Sequence, residues 1–200
     1  MVPAEKTQAA SLILTLLAFI LMLCPIDIRQ WGISQGCTFW QRLAYPFLHA
    51  SWLHVGLNCW CLLSIVFTKD IKPWQLIMAY IIAVTYPVDL LSSALASEAS
   101  PSSPFSPLAS EATPSPSSPL LPSAAQALSP SSPLSTVGIS GFIFALLGTI
   151  SLQSRKWYLN IAVIGSFIAI GFFVPGINAT LHLYCYLAGL LVSVLTTPYI

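Results

Sequence analysis

Three histidines, His49, His54 and His182, are the only ones in this chain of 200 residues. His49 and His54 lie in one run that ends at Asn58. The i, i+4 spacing of His54 and Asn58 directs both side chains from one face of a helix toward one place. An imidazole can act as a general base, and imidazole or amide N–H groups can hold a developing negative charge. These residues therefore suit a nucleophilic site.

The candidate nucleophile is Ser140, which lies in the only Gly-x-Ser-Gly of the chain, between Gly138 and Gly141. A serine needs an adjacent base, and a tetrahedral oxyanion needs hydrogen-bond donors. Each polar residue alone has a plainer interpretation. A histidine in a bundle often only bonds a neighbouring helix, and a serine between glycines often only lets helices approach closely. The three histidines and Ser140 are expected at the same depth in the membrane, which favours a shared catalytic site.

Lipid is the solvent that the composition predicts for most of the chain. Charged residues make up 6% of it, apolar residues 56%, and the mean hydropathy is +0.81, whereas a soluble domain carries about 25% charged residues. A net charge of +1 argues against a nucleic-acid partner. The five cysteines show no metal-type pairing and are interpreted as small buried hydrophobes. We expect no metal and no cofactor.

Six apolar stretches are candidates for membrane-spanning helices, some near the lower limit of the ~17–25 residues that a span needs. They cover residues 9–26, 48–67, 74–93, 138–152, 157–174 and 179–198. The first could be a cleaved signal peptide with Lys6 as its positive region. It ends in Leu-Cys-Pro-Ile-Asp rather than in small residues, however, so we predict a retained helix. The fold class is an all-α membrane protein.

The basic residues outside these stretches orient the bundle. Because cytoplasmic loops carry the excess of Lys and Arg, both termini are expected in the cytoplasm. The starts of the second, fourth and sixth stretches then face the extracytoplasmic side. Five basic residues lie on the cytoplasmic side, Lys6, Lys69, Lys72, Arg155 and Lys156, and two, Arg29 and Arg42, lie on the other.

Residues 92–136 differ in character from the rest and hold more than half of the 16 prolines, with many serines. Such a composition cannot bury enough apolar area to offset its ordering entropy, so we expect a disordered extracytoplasmic insert. It divides a single domain into residues 1–91, with three helices, and residues 137–200, with three more. The insert could be a flap over the site. A tolerated surface expansion is the simpler interpretation, because lengthening a loop costs little free energy.

Outside the insert, the chain resembles the rhomboid family of intramembrane serine proteases over nearly its whole length. His49, His54 and Asn58 match the family pattern His-x4-His-x3-Asn. The resemblance implies a six-transmembrane-helix rhomboid-like bundle, a Ser–His dyad without an acidic third member, and a water-filled cavity open to the extracytoplasmic side. Two further runs resemble family motifs, Gly138-Ile-Ser140-Gly141 with Phe144, Ala145 and Gly148, and Trp40-Gln-Arg42 with one residue inserted.

The last stretch departs from the family pattern His-x-x-Gly-x-x-x-Gly. Tyr186 occupies the histidine register before Gly189, and His182 lies one turn (~6 Å) earlier. The family also places a tyrosine four residues after the serine, packed on the histidine, where this chain has Phe144.

Three interpretations of this departure stay open. The last helix slides or unwinds so that His182 still reaches Ser140, with Tyr186 taking over the packing role. Alternatively, Tyr186 replaces the base and the protein only binds transmembrane clients, or the base is unusual and the activity residual. We favour the first, because lipid disfavours an idle histidine.

The expected function is an intramembrane serine endopeptidase that cleaves transmembrane protein substrates near the extracytoplasmic surface. His182 would take the Ser140 proton, and the Ser140 N–H, His54 and Asn58 would hold the oxyanion. His49 would orient the first loop or a water molecule. The alternative is an inactive rhomboid-like binder; a transporter is weaker, because one acidic residue in the predicted spans makes no relay. We expect a multi-pass protein in a lipid bilayer, that of a bacterial inner membrane, and leave its oligomeric state open.

Overall fold

Helices form nearly all of the regular structure in the computed structural model, which describes residues 3–89, 136–174 and 176–196. Single turns of 3-10 helix follow the third and sixth helices, at Tyr45–Phe47 and Ser151–Gln153. Within these ranges the one β pairing is an isolated antiparallel bridge between Ile33 and Thr136. The predicted insert lies outside the described residues except for Thr136. In chain order the helices are α1 (Pro3–Leu23), α2 (Ile28–Trp31), α3 (Phe39–Ala44), α4 (Trp52–Thr68), α5 (Pro73–Val84), α6 (Ser140–Ile150), α7 (Trp157–Gly171) and α8 (Ala179–Thr196).

Two of the described helical segments, Glu5–Leu23 and Ala179–Thr196, are long and apolar enough to cross a membrane. A third span results if Phe39–Phe47 and Trp52–Thr68, which meet at 83°, are taken as one. The chain is therefore a mostly helical protein with two or three candidate spans in its described part. Six spans would require the shorter apolar helices α5, α6 and α7 to cross as well.

Local hydrogen bonding explains why two helices are shorter than the apolar stretches that predicted them. The Ser51 hydroxyl accepts the N–H of His54 at 3.2 Å and caps α4, which begins at Trp52 rather than at residue 48. Helix α5 ends at Val84 rather than near residue 93. Thr85 donates its hydroxyl to the carbonyl of Ile81, and Pro87 has no N–H with which to continue the helix.

Helix α6 lies at the centre of the bundle. It packs against α8 and α5, and most of its side chains are buried. The apolar cluster around it includes Tyr45, Leu62 and Ala79 from the first half of the chain. Helix α1 packs against α4, while α7 is largely exposed. The residues before and after the insert therefore share one core.

Glycines bring α6 and α8 into backbone contact. A Cβ on Gly189 would collide with the carbonyl oxygen of Ala145, and a Cβ on Gly148 would lie 2.7 Å from the backbone nitrogen of Leu190. Small residues at such positions let helices approach closely in a membrane. This contact sets the axial register of α8 on α6, and hence which residue of α8 reaches Ser140.

Candidate active site

Ser140 and His182 meet where α6 and α8 begin. The Ser140 Oγ lies 2.9 Å from Nε2 of His182, and both residues are half-buried. Asn178 holds the start of α8, because its side-chain oxygen accepts the N–H of Leu181 at 2.9 Å. Its amide also donates to the hydroxyl of Thr136 at 2.9 Å, which ties α8 to the segment entering α6. The histidine one turn before the usual register is thus within hydrogen-bond reach of the serine.

Phe144 packs on the histidine, and Tyr186 does not take the packing role expected of it. The rings of Phe144 and His182 are stacked, with centroids 4.3 Å apart and planes at 17°. Phe144 lies one turn after Ser140 on α6, so one helical face carries both partners of the imidazole. Tyr186 is buried deeper along α8, and its hydroxyl lies 3.1 Å from that of Ser151. Phe144 therefore fills, without a hydroxyl, the position of the family's tyrosine.

His54 and Asn58 lie beside the turn that leads into Ser140. Gly138 has a φ of +119°, a conformation that side chains disfavour, and it brings the backbone against both residues. A Cβ there would lie 2.7 Å from Cε1 of His54 and 3.5 Å from Nδ2 of Asn58. The Nδ2 atom of Asn58 is buried and has no hydrogen-bond partner among the described residues. It is a donor available to a bound group.

His49 holds the backbone just before the serine. Its Nε2 accepts the N–H of Ile139 at 3.4 Å, and its Nδ1 lies 3.3 Å from the carbonyl of Phe47. The ring also packs edge-on against that of His54, with centroids 5.1 Å apart. His49 is buried and its ring nitrogens lie against Ile139 and Phe47, so its contacts suit positioning of the loop rather than chemistry.

The remaining glycines predicted as supporting residues lie at close contacts. A Cβ on Gly141 would lie 3.3 Å from the Tyr45 hydroxyl and from the Leu181 side chain. Gly189 lies against the carbonyl of Ala145, as described above. Tyr45 was not predicted from the sequence. Its carbonyl accepts the N–H of Gly138 at 3.0 Å, and its hydroxyl donates to the carbonyl of Ala83 at 2.9 Å.

Of the two positioning residues that the sequence did not predict, only one left a signal. Asn178 directly precedes an apolar run, which is a recognisable N-cap pattern. Tyr45 begins the short 3-10 helix Tyr45–Phe47 and carries no such signal.

The arrangement can support attack by a serine. Nε2 of His182 is placed to remove the Ser140 proton, as a nucleophile with an adjacent base requires. Because α6 starts at Ser140, the N–H groups of its first turn lack intrahelical acceptors and can donate to an oxyanion. In the described ranges the His182 ring is bonded to Ser140 and to no carboxylate. Nor do these ranges contain a group of three or more His, Cys, Asp or Glu residues that could hold a metal ion.

Comparison with known families matches residues 36–199 of the chain to the Rhomboid domain. Comparisons with curated proteins and with solved structures found no match. The matched region contains all of the residues described above, from Tyr45 to Gly189. Because the match spans most of the chain, this protein belongs to the rhomboid family.

Proposed function

We propose that this protein is an intramembrane serine endopeptidase that cleaves transmembrane protein substrates near the extracytoplasmic surface. The observation that carries the proposal is the contact of 2.9 Å between the Ser140 Oγ and Nε2 of His182. An inactive binder has no need of a serine and a histidine held in this relation. The stacking of Phe144 further restrains the imidazole plane.

The proposed reaction begins when His182 takes the Ser140 proton and Oγ attacks the carbonyl carbon of the scissile peptide. The backbone N–H of Ser140 and the side chains of His54 and Asn58 hold the oxyanion. When the tetrahedral intermediate collapses, the C–N bond breaks and the imidazolium gives its proton to the departing amine. Water then hydrolyses the acyl-enzyme, with His182 again acting as the base. Proton transfer and nucleophilic attack need no further side chain.

The proposed membrane arrangement has six spans and both termini in the cytoplasm of a bacterial cell. The shorter helices α5, α6 and α7 are apolar, which supports counting them as spans. The excess of basic residues around Lys6, Lys69 and Arg155 supports the orientation. The start of α6, with Ser140, then lies toward the extracytoplasmic surface.

Covalent labelling of the purified protein by a fluorophosphonate tests this function. We expect the parent to label, Ser140→Ala to abolish labelling, and His182→Ala to reduce it by at least about 10²-fold, because general-base catalysis contributes about 10²–10⁴-fold. Ser166→Ala, an exposed serine on α7, is the matched control and should label like the parent. A well-folded parent that does not label would support an inactive rhomboid-like binder instead.

Tyr186→Phe separates the two candidate bases. The Tyr186 hydroxyl bonds Ser151, so its loss should leave labelling unchanged. If labelling survives His182→Ala but is lost in Tyr186→Phe, His182 is not the base.

A further inference from the structure

An apolar cavity of about 490 Å³ lies between α1 and α5, and neither Ser140 nor His182 lines it. One wall is a single face of α1, including Ala10 and Leu14, and the other is a face of α5, including Leu76 and Tyr80. The Tyr80 hydroxyl donates to the carbonyl of Leu43 and is thus already satisfied. The volume falls within the roughly 300–1,000 Å³ of small-molecule sites. An apolar ligand therefore suits this space.

The cavity is accessible from the lipid side of the bundle. Ile13 on α1 and Ile77 on α5 line it, and both are strongly exposed, at 66% and 60%. In a bilayer these side chains face hydrocarbon. The cavity therefore opens toward the acyl chains of the surrounding lipid.

The cavity is electropositive at the end that Lys6 lines. Pro73, the first residue of α5, lines the same end. Helices α1 and α5 both begin at this end, and a helix N-terminus carries partial positive charge. Lys72 directly precedes Pro73. The nearby acidic residues Glu5 and Asp70 do not line the cavity.

We propose that this cavity binds one glycerophospholipid from the leaflet at the Lys6 end of the bundle. An acyl chain fills the space between α1 and α5, and the phosphate lies beside Lys6. Apolar walls and a cationic mouth are complementary to these two parts of the lipid. The cavity carries this proposal by itself, whether or not the protein cleaves peptides.

At the end away from Lys6, the cavity reaches the backbone that precedes Ser140. Phe47 and Ile139 line it, and these are the residues whose carbonyl and N–H contact His49. Phe142, in the first turn of α6, also lines the cavity. A bound chain would therefore support the segment that His49 also holds.

Photocrosslinking of the full chain in micelles of dodecyl maltoside, a detergent without a phosphate, tests the site. The probe is a small fraction of phosphatidylglycerol with a diazirine at the end of one acyl chain, and crosslinks are mapped by tandem mass spectrometry. We expect crosslinks at the buried lining residues Ile139 and Phe142 in excess of those at exposed residues such as Leu16 on α1. Crosslinks confined to exposed faces would mean bulk lipid only. Loss of the crosslinks at high protein-to-detergent ratio would mean that a second copy covers the groove, and either result overturns the proposal.

Two substitutions test occupancy separately from folding. Ala10→Trp places an indole in the cavity and should reduce crosslinking at Phe142 by about tenfold. Ala9→Trp, one residue along α1 and outside the lining, should not. Thermal unfolding of both variants reports whether they fold. If neither folds, the crosslink map of the parent protein still tests the site.

Lys6→Gln tests the phosphate contact. A basic residue near a lipid surface contributes about 1 kcal/mol, so crosslinking should fall about fivefold. A diacylglycerol probe with the same diazirine chain should be insensitive to this change. Equal crosslinking by the phospholipid in the parent and in Lys6→Gln would contradict the phosphate position.

Discussion

The imidazole of His182 has two neighbours on α6 with different roles. Ser140 shares a hydrogen bond with it, and Phe144 stacks on its face. Aromatic pairs of this kind contribute about 0.5–1.5 kcal/mol beyond their buried area. The stacking holds the ring in the plane from which Nε2 meets the serine.

Phe144→Ala should therefore slow fluorophosphonate labelling by about 3–10-fold, which is that energy expressed as a rate factor. Phe144→Tyr keeps the ring and should label like the parent. Phe167→Ala, which removes an exposed ring from α7, is the control. Equal labelling rates in Phe144→Ala and the parent would remove Phe144 from any positioning role.

The buried amide of Asn58 predicts opposite effects on activity and stability. A buried polar group without a partner costs about 1–3 kcal/mol, and Nδ2 of Asn58 has no partner among the described residues. Asn58→Ala should lower the rate of peptide cleavage about 10²–10³-fold through loss of an oxyanion donor. The free energy of unfolding should stay the same or rise.

Unfolding in mild detergent and cleavage of a transmembrane reporter measure the two effects. Asn160→Ala on α7 is the control for cleavage. A parallel loss of stability and activity in Asn58→Ala would mean that the amide is structural.

For single residues, the sequence predicted which residues lie near the site better than it predicted which of them contact each other. The i, i+4 spacing of His54 and Asn58 was enough to place both at one position, because a helix holds that geometry by itself. The packing ring was assigned to Tyr186 rather than Phe144, because that choice depends on how far α8 slides along α6. Sequence spacing within one helix contains no information on that distance.

The register of α8 on α6 is set by glycines. Gly189→Ala places a methyl group against the carbonyl of Ala145, and overpacking of this kind costs about 1–3 kcal/mol. A methyl group on Gly165 of α7, by contrast, would meet no neighbouring atom within 4 Å. Gly165→Ala should therefore raise stability by up to about 1 kcal/mol through helix propensity.

Thermal unfolding of the pair checks this prediction. We expect Gly189→Ala also to lose fluorophosphonate labelling, because a displaced α8 carries His182 away from Ser140. If Gly189→Ala unfolds like the parent and keeps full labelling, the close contact of α6 and α8 does not set the register.

Apolar run length predicted the helices before and after the insert, but not all of their ends. Helix α8 covers Ala179–Thr196, close to the predicted stretch of 179–198. The ends of α4 and α5 were wrong, because a serine cap and a proline overrode hydrophobicity. The short helices α2 and α3, at Ile28–Trp31 and Phe39–Ala44, were not predicted, because neither contains a long apolar run. Helix α3 begins instead at a capping box formed by Thr38 and Gln41.

The proposed topology of the whole molecule rests on the distribution of charge and is open to a direct test. In a cysteine-free background, Lys6→Cys and Arg155→Cys should resist a membrane-impermeant maleimide in intact cells and react after permeabilisation. Gln30→Cys, which is exposed between α1 and α3, should react in intact cells. Reaction of Arg155→Cys from outside would contradict the six-span arrangement with both termini in the cytoplasm.

The stretch 90–135 is attached to the rest of the molecule at two firmly held points. At one end, Asp89 accepts the N–H of Gly36 at 2.7 Å and pairs with Arg42 at 2.8 Å. At the other, Thr136 forms two backbone hydrogen bonds with Ile33, at 2.9 and 3.0 Å, and its hydroxyl accepts from Asn178. Both anchors close onto the same loop between α1 and α4.

We therefore expect changes in the length of that stretch to leave the position of Ser140 unchanged. The contacts of Asp89 and Thr136 hold the backbone at both ends of the stretch, and Thr136 lies between it and α6. The repeat at Leu95 and Leu108 could then change in copy number without displacing the serine. We expect selection to act more weakly on the length of this segment than on the residues that hold its two ends.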